Sequence, residues 1–429
     1  MVIRGGAGLF YDRPDGNSIF GQVTNPPSIR NVTVRNGQLQ SLAAAQFSVE
    51  GAPALTVFEY AGDLPSSTQW NVETQLTLPW ATSVSIGYVG QHSFNTLGTV
   101  NLNAIDLGSA FLQHNQDPTL AASTTPGATA VLSDQMRAFR GYGNINQQVG
   151  RNWRTFHSLQ LAFNRRFSNG MSFGFNDTIT LSDHQSTAPR LQHNADGTVT
   201  YRADQAEADA LLGTSINQVH VLKGNFVWDM PDLKKTESVW RAIGMVVNDW
   251  QLSGIWTGGT GTAYNVAFTY QNGGGNVNLT GSPDYAARVL VLSALGGGCS
   301  GNVYKQFDTS AFRGPSTNSV GLESGAGYLR GCFQSVLDLS LARTIRLNGG
   351  RNIQLRVDAF NAPNSAIITG RNSSATFSTP NDPNTIQNLP FDANGALIPS
   401  RSLPRGAGFG VANAYQAPRT VQIQVRFSF

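Results

Sequence analysis

The sequence predicts an all-β protein, a membrane-spanning antiparallel β-barrel of which this chain supplies roughly 10 to 12 strands. Three observations predict it: short segments alternate apolar and polar side chains, charged residues are scarce, and brief turns alternate with long connections. A barrel wall between hydrocarbon and an aqueous interior requires such alternation, because successive side chains of a strand point to opposite faces.

The first segment begins almost at the N-terminus, where Ile3, Gly5, Ala7 and Leu9 alternate with their neighbours. Similar segments recur along the chain, and helical periodicity is nearly absent. Their apolar positions lie in 70–78, 84–88, 159–163, 171–181, 222–228, 250–256, 337–345, 353–359 and 421–429. We therefore expect about ten strands of roughly 9 to 11 residues, the length that crosses a bilayer at a tilt.

The connections between these segments are of two kinds. Brief ones lie at 79–83, 168–170 and 347–351, with a longer basic one at 230–248, whereas long ones run over 12–68, 91–157, 182–218, 258–335 and 361–418. Compact soluble domains rarely carry several connections longer than about 15 residues. Strict alternation of short turns with long loops is typical of outer-membrane barrels.

Composition excludes other classes. Of the 429 residues 13% are charged, about half of the usual share of roughly 25%. No apolar run approaches the length of about 18 residues that marks a transmembrane helix. The net charge of +3 is dispersed, which argues against a nucleic-acid partner. The opening residues lack the pattern of a secretory signal peptide.

The last segment shows the alternation most clearly. We expect its outward residues to contact outer-membrane lipid and its even-numbered residues to face the interior; the outward set is Val421, Ile423, Val425, Phe427 and Phe429. The charged residues of the strand segments follow the same partition and lie on the polar face. They are Glu73, Asp338, Arg356, Asp358 and Arg426. Near the bilayer midplane a lipid-facing charge would cost about 2 to 4 kcal/mol.

Several of these strand segments resemble a known family. The stretches are IRGGAGLFYDR, SSTQWNVETQLTLPWATSVSIGYVG, HSLQLAFNRRFSNGMSFGFN, VNDWQLSGIWTGGTGTAYN, LDLSLARTIRL, IQLRVDAFNAPN and TVQIQVRFSF. In this order they resemble the strands of TonB-dependent outer-membrane receptors, most closely the Oar-like branch common in acidobacteria. The resemblance implies a location in the outer membrane, ligand capture by extracellular loops, and import across that membrane. It also implies recognition of the last strand, ending at Phe429, by the barrel-assembly machinery.

A complete receptor of that family has a signal peptide, a TonB box, an N-terminal plug and a barrel of roughly 22 strands. We therefore interpret residues 1–429 as the C-terminal part of a receptor barrel, without those N-terminal parts. Energised import would then need the TonB complex acting through the missing part. Two alternatives remain open: a self-contained passive porin, and a surface barrel with an adhesive or structural role. The transported ligand cannot be read from the sequence.

Candidate chemistry is sparse. Six histidines lie mostly in predicted loops without metal-ligand spacing, and no motif anchors a catalytic triad. We therefore predict no enzyme activity, no metal site and no cofactor. Loop aromatics, including Tyr264, Tyr270 and Tyr304, are speculative ligand contacts because they lie on a long loop, although packing within the loop explains them better.

Two cysteines, Cys299 and Cys332, both fall in the 258–335 connection. A protein exported through an oxidising compartment most simply joins two such residues in a disulfide. We expect this bond to close the loop rather than leave two reactive thiols.

Overall fold

The computed structural model describes residues 1–13, 16–26, 52–60, 62–214, 216–232, 244, 246–347 and 351–429. Ten strands follow one another in chain order through a single antiparallel sheet, which confirms the predicted fold class. They are β1 (Val2–Tyr11), β2 (Ser66–Leu78), β3 (Thr82–Asn101), β4 (Ile145–Ser168), β5 (Met171–Gln185), β6 (His220–Asp229), β7 (Trp250–Gly259), β8 (Gln334–Arg346), β9 (Asn352–Phe360) and β10 (Thr420–Ser428).

Short turns and long connections alternate as predicted. The β2–β3 turn reverses the chain with positive φ at Trp80 and Ala81, and the β4–β5 turn does so at Asn169 and Gly170. Such left-handed pairs match the twist of tight hairpins. The predicted turns at 230–248 and 347–351 lie partly outside the described residues. The strand ends that flank these four segments lie on one edge of the sheet, called here the turn side, and the long connections leave from the opposite loop side.

Five strands are longer than the predicted length of roughly 9 to 11 residues: β2 and β8 have 13 residues each, and three others exceed the prediction further. β3 has 20 residues, β4 has 24 and β5 has 15, so the predicted connections 91–157 and 182–218 begin too early. Pairing between β3 and β4 shifts register between Ser93 and Leu97, and a bulge of this kind interrupts the alternation on which the prediction depended.

One consequence of the longer strands concerns the position of the histidines. His92, His157, His184 and His220 lie in strands, so placing most histidines in loops was wrong.

The two faces of the sheet differ in shape. A hollow of about 430 Å³ spans β1 to β5 and is lined by polar residues such as Asn71, Glu73 and Gln160. A second hollow of about 370 Å³ receives Asp338, Arg356 and Asp358. The polar face is therefore the concave, inward one, and the apolar face is convex.

Asp177 is one of several charges that depart from the predicted partition, together with Arg165 and Arg343 nearer the turn side. Asp177 pairs with Leu161 on β4 and Leu222 on β6, and directly opposed residues share a face. Its side chain therefore belongs to the convex face. It is 7% exposed, and its Oδ2 atom lies 2.9 Å from Nδ1 of His220.

The sheet ends at β1 and β10, each paired on one side only within the described residues. β10 pairs with β9, placing Val425 opposite Leu355 and Arg426 opposite Gln354. The apolar residues of β10 are exposed, from 54% at Phe427 to 73% at Ile423, and Phe429, which follows the strand, is 98% exposed. The convex apolar face thus continues to the edge of the sheet.

The remaining elements are short. Strands occupy Leu55–Phe58, Leu191–His193, Val199–Tyr201, Ala263–Tyr264, Ala267–Tyr270, Leu290–Val291, Phe312–Arg313, Leu329–Arg330, Ile368–Arg371, Ser374–Thr379, Asp382–Ile386 and Ala412–Tyr415. Helices occupy Gly16–Phe20, Ser133–Met136, Gln205–Leu212 and Asn276–Leu279; 3-10 turns occupy Gly21–Thr24, Ser109–Phe111, Gln113–Asn115, Thr309–Ala311 and Pro399–Arg401. None of the helices in the described ranges is both long and apolar enough to span a membrane.

Candidate functional site in the loop cap

The two last long connections, 260–333 and 361–419, fold together into one unit, called here the loop cap. Ala267–Tyr270 of the first connection pairs in parallel with Ser374–Thr379 of the second. Within the first connection Ala263–Tyr264 pairs with Leu329–Arg330. These pairings satisfy backbone groups that a long loop would otherwise expose, so the cap has a defined shape.

The cap has its own hydrophobic core. Three phenylalanine rings meet at its centre: Phe307 lies 5.2 Å from Phe409, and Phe312 lies 5.8 Å from Phe409, between ring centroids. The other buried members are Val266, Val289, Ala311, Leu329, Ala375 and Phe377. Side chains from both connections therefore hold the cap together, as in a small domain.

The predicted cysteine pair lies at the margin of this core. Cys299 and Cys332 are joined in the structure, with 5.0 Å between their Cα atoms. Cys332 is buried beside Ile368 and Ala412, which belong to the second connection. The cross-link thus fastens the first connection where it contacts the second.

The cap is also tied to the connection between β3 and β4. Nη1 of Arg137 lies 3.1 Å from Oδ2 of Asp284, and the backbone N–H of Ile105 donates to the same carboxylate at 2.8 Å. The side chain of Arg137 is 8% exposed and that of Asp284 17%. Removing one partner of a buried ion pair strongly destabilises a fold, because it leaves the other charge buried without a partner. The contact therefore fixes the cap against the neighbouring connection.

The three candidate tyrosines occupy different environments. The Tyr264 hydroxyl donates to the Gly298 carbonyl at 2.7 Å, the guanidinium of Arg371 lies 4.9 Å from the Tyr264 ring centroid, and burial raises the Tyr264 pKa to about 12. The Tyr270 hydroxyl donates to the Pro315 carbonyl at 2.6 Å, and burial raises its pKa as well.

Tyr304 packs edge-on against Phe391, with ring centroids 5.9 Å apart. The hydroxyls of Tyr264 and Tyr270 are thus already engaged within the cap. A ligand at Tyr270 would therefore contact its ring rather than its hydroxyl.

A cavity of about 730 Å³ opens in the cap and includes Tyr270 in its lining. Its lining comes from the segments 265–270, 274–276 and 286–289. Ligand pockets commonly enclose about 300 to 1,000 Å³, so the volume suits a small molecule. Tyr264 and Tyr304 lie outside this lining.

Polar groups in the lining were not predicted from the sequence. Arg288 is held by its Nε and Nη2 atoms, which donate to the carbonyls of Ser324 at 2.8 Å and Gly325 at 2.7 Å. Asn265 accepts from the Gly327 N–H at 2.6 Å, which leaves its Nδ2 group for other partners. These residues meet only through long-range folding of the cap, and no motif marks them.

Within the described ranges no group of three or more His, Cys, Asp or Glu side chains is arranged to hold a metal ion. The cavity therefore offers aromatic rings, amides and one guanidinium. Such groups bind by stacking and hydrogen bonds.

Comparison with protein families decides the class of the chain. Residues 1–422 match the family model described as outer membrane beta barrel domain. The chain belongs to this family. It is a barrel domain of the outer membrane, not of an enzyme family, and the convex apolar face is its lipid-facing surface. In barrels of this membrane the long loops are extracellular, which places the loop cap outside the cell.

The chain is also similar to solved structures, at low sequence identity. The outer membrane transporter YddB from Escherichia coli is 9% identical, with a TM-score of 0.43, over 99% of this chain and 38% of that one. The FrpB iron transporter from Neisseria meningitidis is 7% identical, with a TM-score of 0.33, over 73% of this chain and 29% of that one. The copper transporter OprC is 9% identical, with a TM-score of 0.35, over 100% of this chain and 37% of that one.

This chain thus spans less than two fifths of the length of each of these structures. No curated protein matches it.

Proposed function

We propose that the loop cap captures a ligand from outside the cell and that the barrel belongs to a TonB-dependent receptor that imports it. The observation that carries the proposal is the cavity of about 730 Å³ in a cap with its own core and cross-link. A folded cap can hold a binding site in one geometry, and a preformed site binds at a lower entropic cost than a flexible loop.

The unpaired edges support the second half of the proposal. Backbone N–H and C=O groups cannot remain unpaired in hydrocarbon, yet β1 and β10 each lack a second neighbour among the described residues. We infer that residues 1–429 form the C-terminal portion of a larger barrel, whose other strands pair with both edges. Coupling to TonB would act through a part of that protein outside this sequence.

Binding by the cap can be tested directly with the chain in detergent micelles. The probes are a ferric siderophore, cobalamin, an oligosaccharide and an oligopeptide, each titrated by native mass spectrometry. Ala267 lines the cavity, so we expect Ala267→Trp to abolish binding of the class that the wild type retains. Ala396, in an exposed turn of the cap, gives the control Ala396→Trp, which should bind as the wild type does.

The same protein in planar bilayers separates this function from the alternatives. A receptor portion should give no uniform conductance, whereas steady single-channel currents together with no binding of any probe would favour a passive porin. If binding is seen, uptake of that ligand by cells expressing the whole receptor should disappear when TonB is deleted.

We also propose that β10 is the signal read by the barrel-assembly machinery. Its alternating residues are exposed and unobstructed, with Ile423 73% and Phe429 98% exposed, so a partner strand could reach them. Phe429→Ala should lower the fraction assembled in the outer membrane, measured by protease resistance in cells. Ser428→Ala is the matched control, and equal assembly of both variants would contradict the proposal.

A further inference from the structure

Three histidines lie on the convex face within three neighbouring rows of the sheet, on β3, β4 and β6. His92 of β3 is opposite Thr155 of β4, and His157 lies one row nearer the turn side. His220 of β6 is opposite Ile179 of β5, and Ile179 is opposite Leu159 of β4. His220 therefore lies one further row toward the turn side than His157. We call His92, His157 and His220 the histidine belt; β4 to β6 are contiguous in the sheet through β5, so the belt follows one level of the barrel.

The level of the belt can be calculated from the strands. His157 is eleven residues from Ser168, the turn-side end of β4. At about 3.4 Å per residue and a tilt of about 40°, it lies about 29 Å above that end. By the same measure His92, ten residues from Thr82, and His220, nine residues from Asp229, lie about 26 and 23 Å above the turn-side ends of their strands. The lipid-facing band of an outer-membrane barrel is about 25 Å tall. The belt therefore lies where the hydrocarbon of the outer leaflet gives way to head groups.

Aromatic neighbours are consistent with this level. Trp70 pairs with Gly90, where a Cβ would overlap the indole, so glycine lets the ring lie across the strand. The indole centroid is 5.9 Å from the His157 ring centroid, and the Tyr88 ring stacks 6.0 Å away. Tryptophan and tyrosine are the residues that barrels place at membrane interfaces.

Each belt histidine is held in the same way, by a hydrogen bond at Nδ1. Nδ1 of His92 is 2.8 Å from Oγ1 of Thr155, and Nδ1 of His157 is 2.7 Å from Oη of Tyr88. Nδ1 of His220 is 2.9 Å from Oδ2 of Asp177. Among the described residues none supplies a partner to Nε2 of these three rings. The belt thus presents three positioned Nε2 atoms to whatever surrounds the barrel.

The Nδ1 partners determine what Nε2 can do. When a hydroxyl donates to Nδ1 of a neutral imidazole, the ring proton lies on Nε2, so in this tautomer His92 and His157 present outward N–H donors. Asp177 accepts from Nδ1 of His220, and a doubly protonated ring there would also present Nε2–H, with Asp177 as its counter-ion. All three rings can therefore donate to an anionic oxygen.

We propose that the histidine belt binds the phosphate groups of outer-leaflet lipid head groups. Phosphate oxygens accept strong hydrogen bonds from N–H donors, and at this level the head groups are what surrounds the barrel. On the turn side of the belt, the apolar face contacts the acyl chains of the same lipids. A lipid therefore gains contacts that a free phosphate ion cannot make. This surface is separate from the loop cap and does not depend on ligand import.

The test uses the full chain in detergent micelles, titrated with lipid A that carries both phosphates and with fully dephosphorylated lipid A, by native mass spectrometry. The triple variant His92→Phe/His157→Phe/His220→Phe should bind the phosphorylated lipid at least tenfold more weakly and the dephosphorylated lipid as the wild type does. His114→Phe, at an exposed loop position, is the control and should bind both lipids normally.

A second variant protects the test against misfolding of the first. His92→Arg/His157→Arg/His220→Arg keeps outward donors and should bind the phosphorylated lipid at least as tightly as the wild type. The proposal is overturned if both triple variants bind it equally, if dephosphorylation leaves wild-type affinity unchanged, or if inorganic phosphate displaces the lipid at matched concentration.

Discussion

The core of the loop cap gives the most quantitative prediction. The Phe409 side chain is fully buried (0% exposed) and contacts two other rings at centroid distances of 5.2 and 5.8 Å. A buried phenylalanine removes about 150 to 250 Å² from water, which at about 25 cal/mol per Å² corresponds to roughly 4 to 6 kcal/mol as an upper bound. Measured Phe-to-Ala changes in cores cost about 3 to 5 kcal/mol.

We therefore expect Phe409→Ala to lower the local free energy of unfolding of the cap by about 3 to 5 kcal/mol. Hydrogen exchange followed by mass spectrometry should show amides of 260–333 and 361–419 exchanging at least about 100-fold faster, since each 1.36 kcal/mol is a factor of ten. Amides in the central strands of the barrel should keep their rates, because the sheet does not depend on this core.

Phe391 supplies the control, since its ring is 39% exposed and contacts Tyr304 at the periphery of the cap. Phe391→Ala should accelerate exchange much less than Phe409→Ala. Equal exchange rates in the two variants would refute the view that the long connections share one core.

Three further predictions concern the cross-link, a buried tyrosine and a glycine. Cys299→Ser should loosen the cap by about 3 to 4 kcal/mol in the chain-entropy estimate, measured by protease cleavage within 260–333; unchanged cleavage would contradict this. Burial raises the Tyr264 pKa to about 12, so its contribution to stability is complete below about pH 10, the usual tyrosine pKa, and is lost as pH rises toward 12. Tyr270 contributes in the same sense, so Tyr264→Phe should reduce this alkaline loosening in exchange measured between pH 9 and 12, and an unaltered profile would sink the argument. Gly90→Val should displace the Trp70 indole and change near-ultraviolet circular dichroism, whereas Gly87→Val, where a Cβ would have 3.7 Å of clearance, should leave the spectrum unchanged.

The strands were predictable because their signal is local. Alternation in β9 and β10, for example, requires only a row of apolar residues every second position, and the structure pairs these two strands across their whole length. The turn at Asn169 and Gly170 was also predictable, since these two residues adopt positive φ most easily.

Other features depend on contacts between residues distant in sequence. The outer halves of β3 and β4 were missed because a bulge near Ser93 shifts the register and because, beyond the lipid, neither face has to be apolar. The cap core was missed for another reason: Phe312 and Phe409 come from different connections and become neighbours only in the folded cap. The histidine belt has the same origin, since it assembles across strands.

The central claim is that the apolar face of β10 contacts lipid and its polar face lines the interior. Spin labels placed singly at positions 421 to 426, in the protein reconstituted in bilayers, would test this through their collisions with oxygen and with a water-soluble nickel chelate. We expect a period of two: labels at Val421, Ile423 and Val425 relax with oxygen, and those at Gln422, Gln424 and Arg426 relax with nickel. Uniform accessibility along the strand, or odd-numbered positions closed to both reagents, would contradict the account.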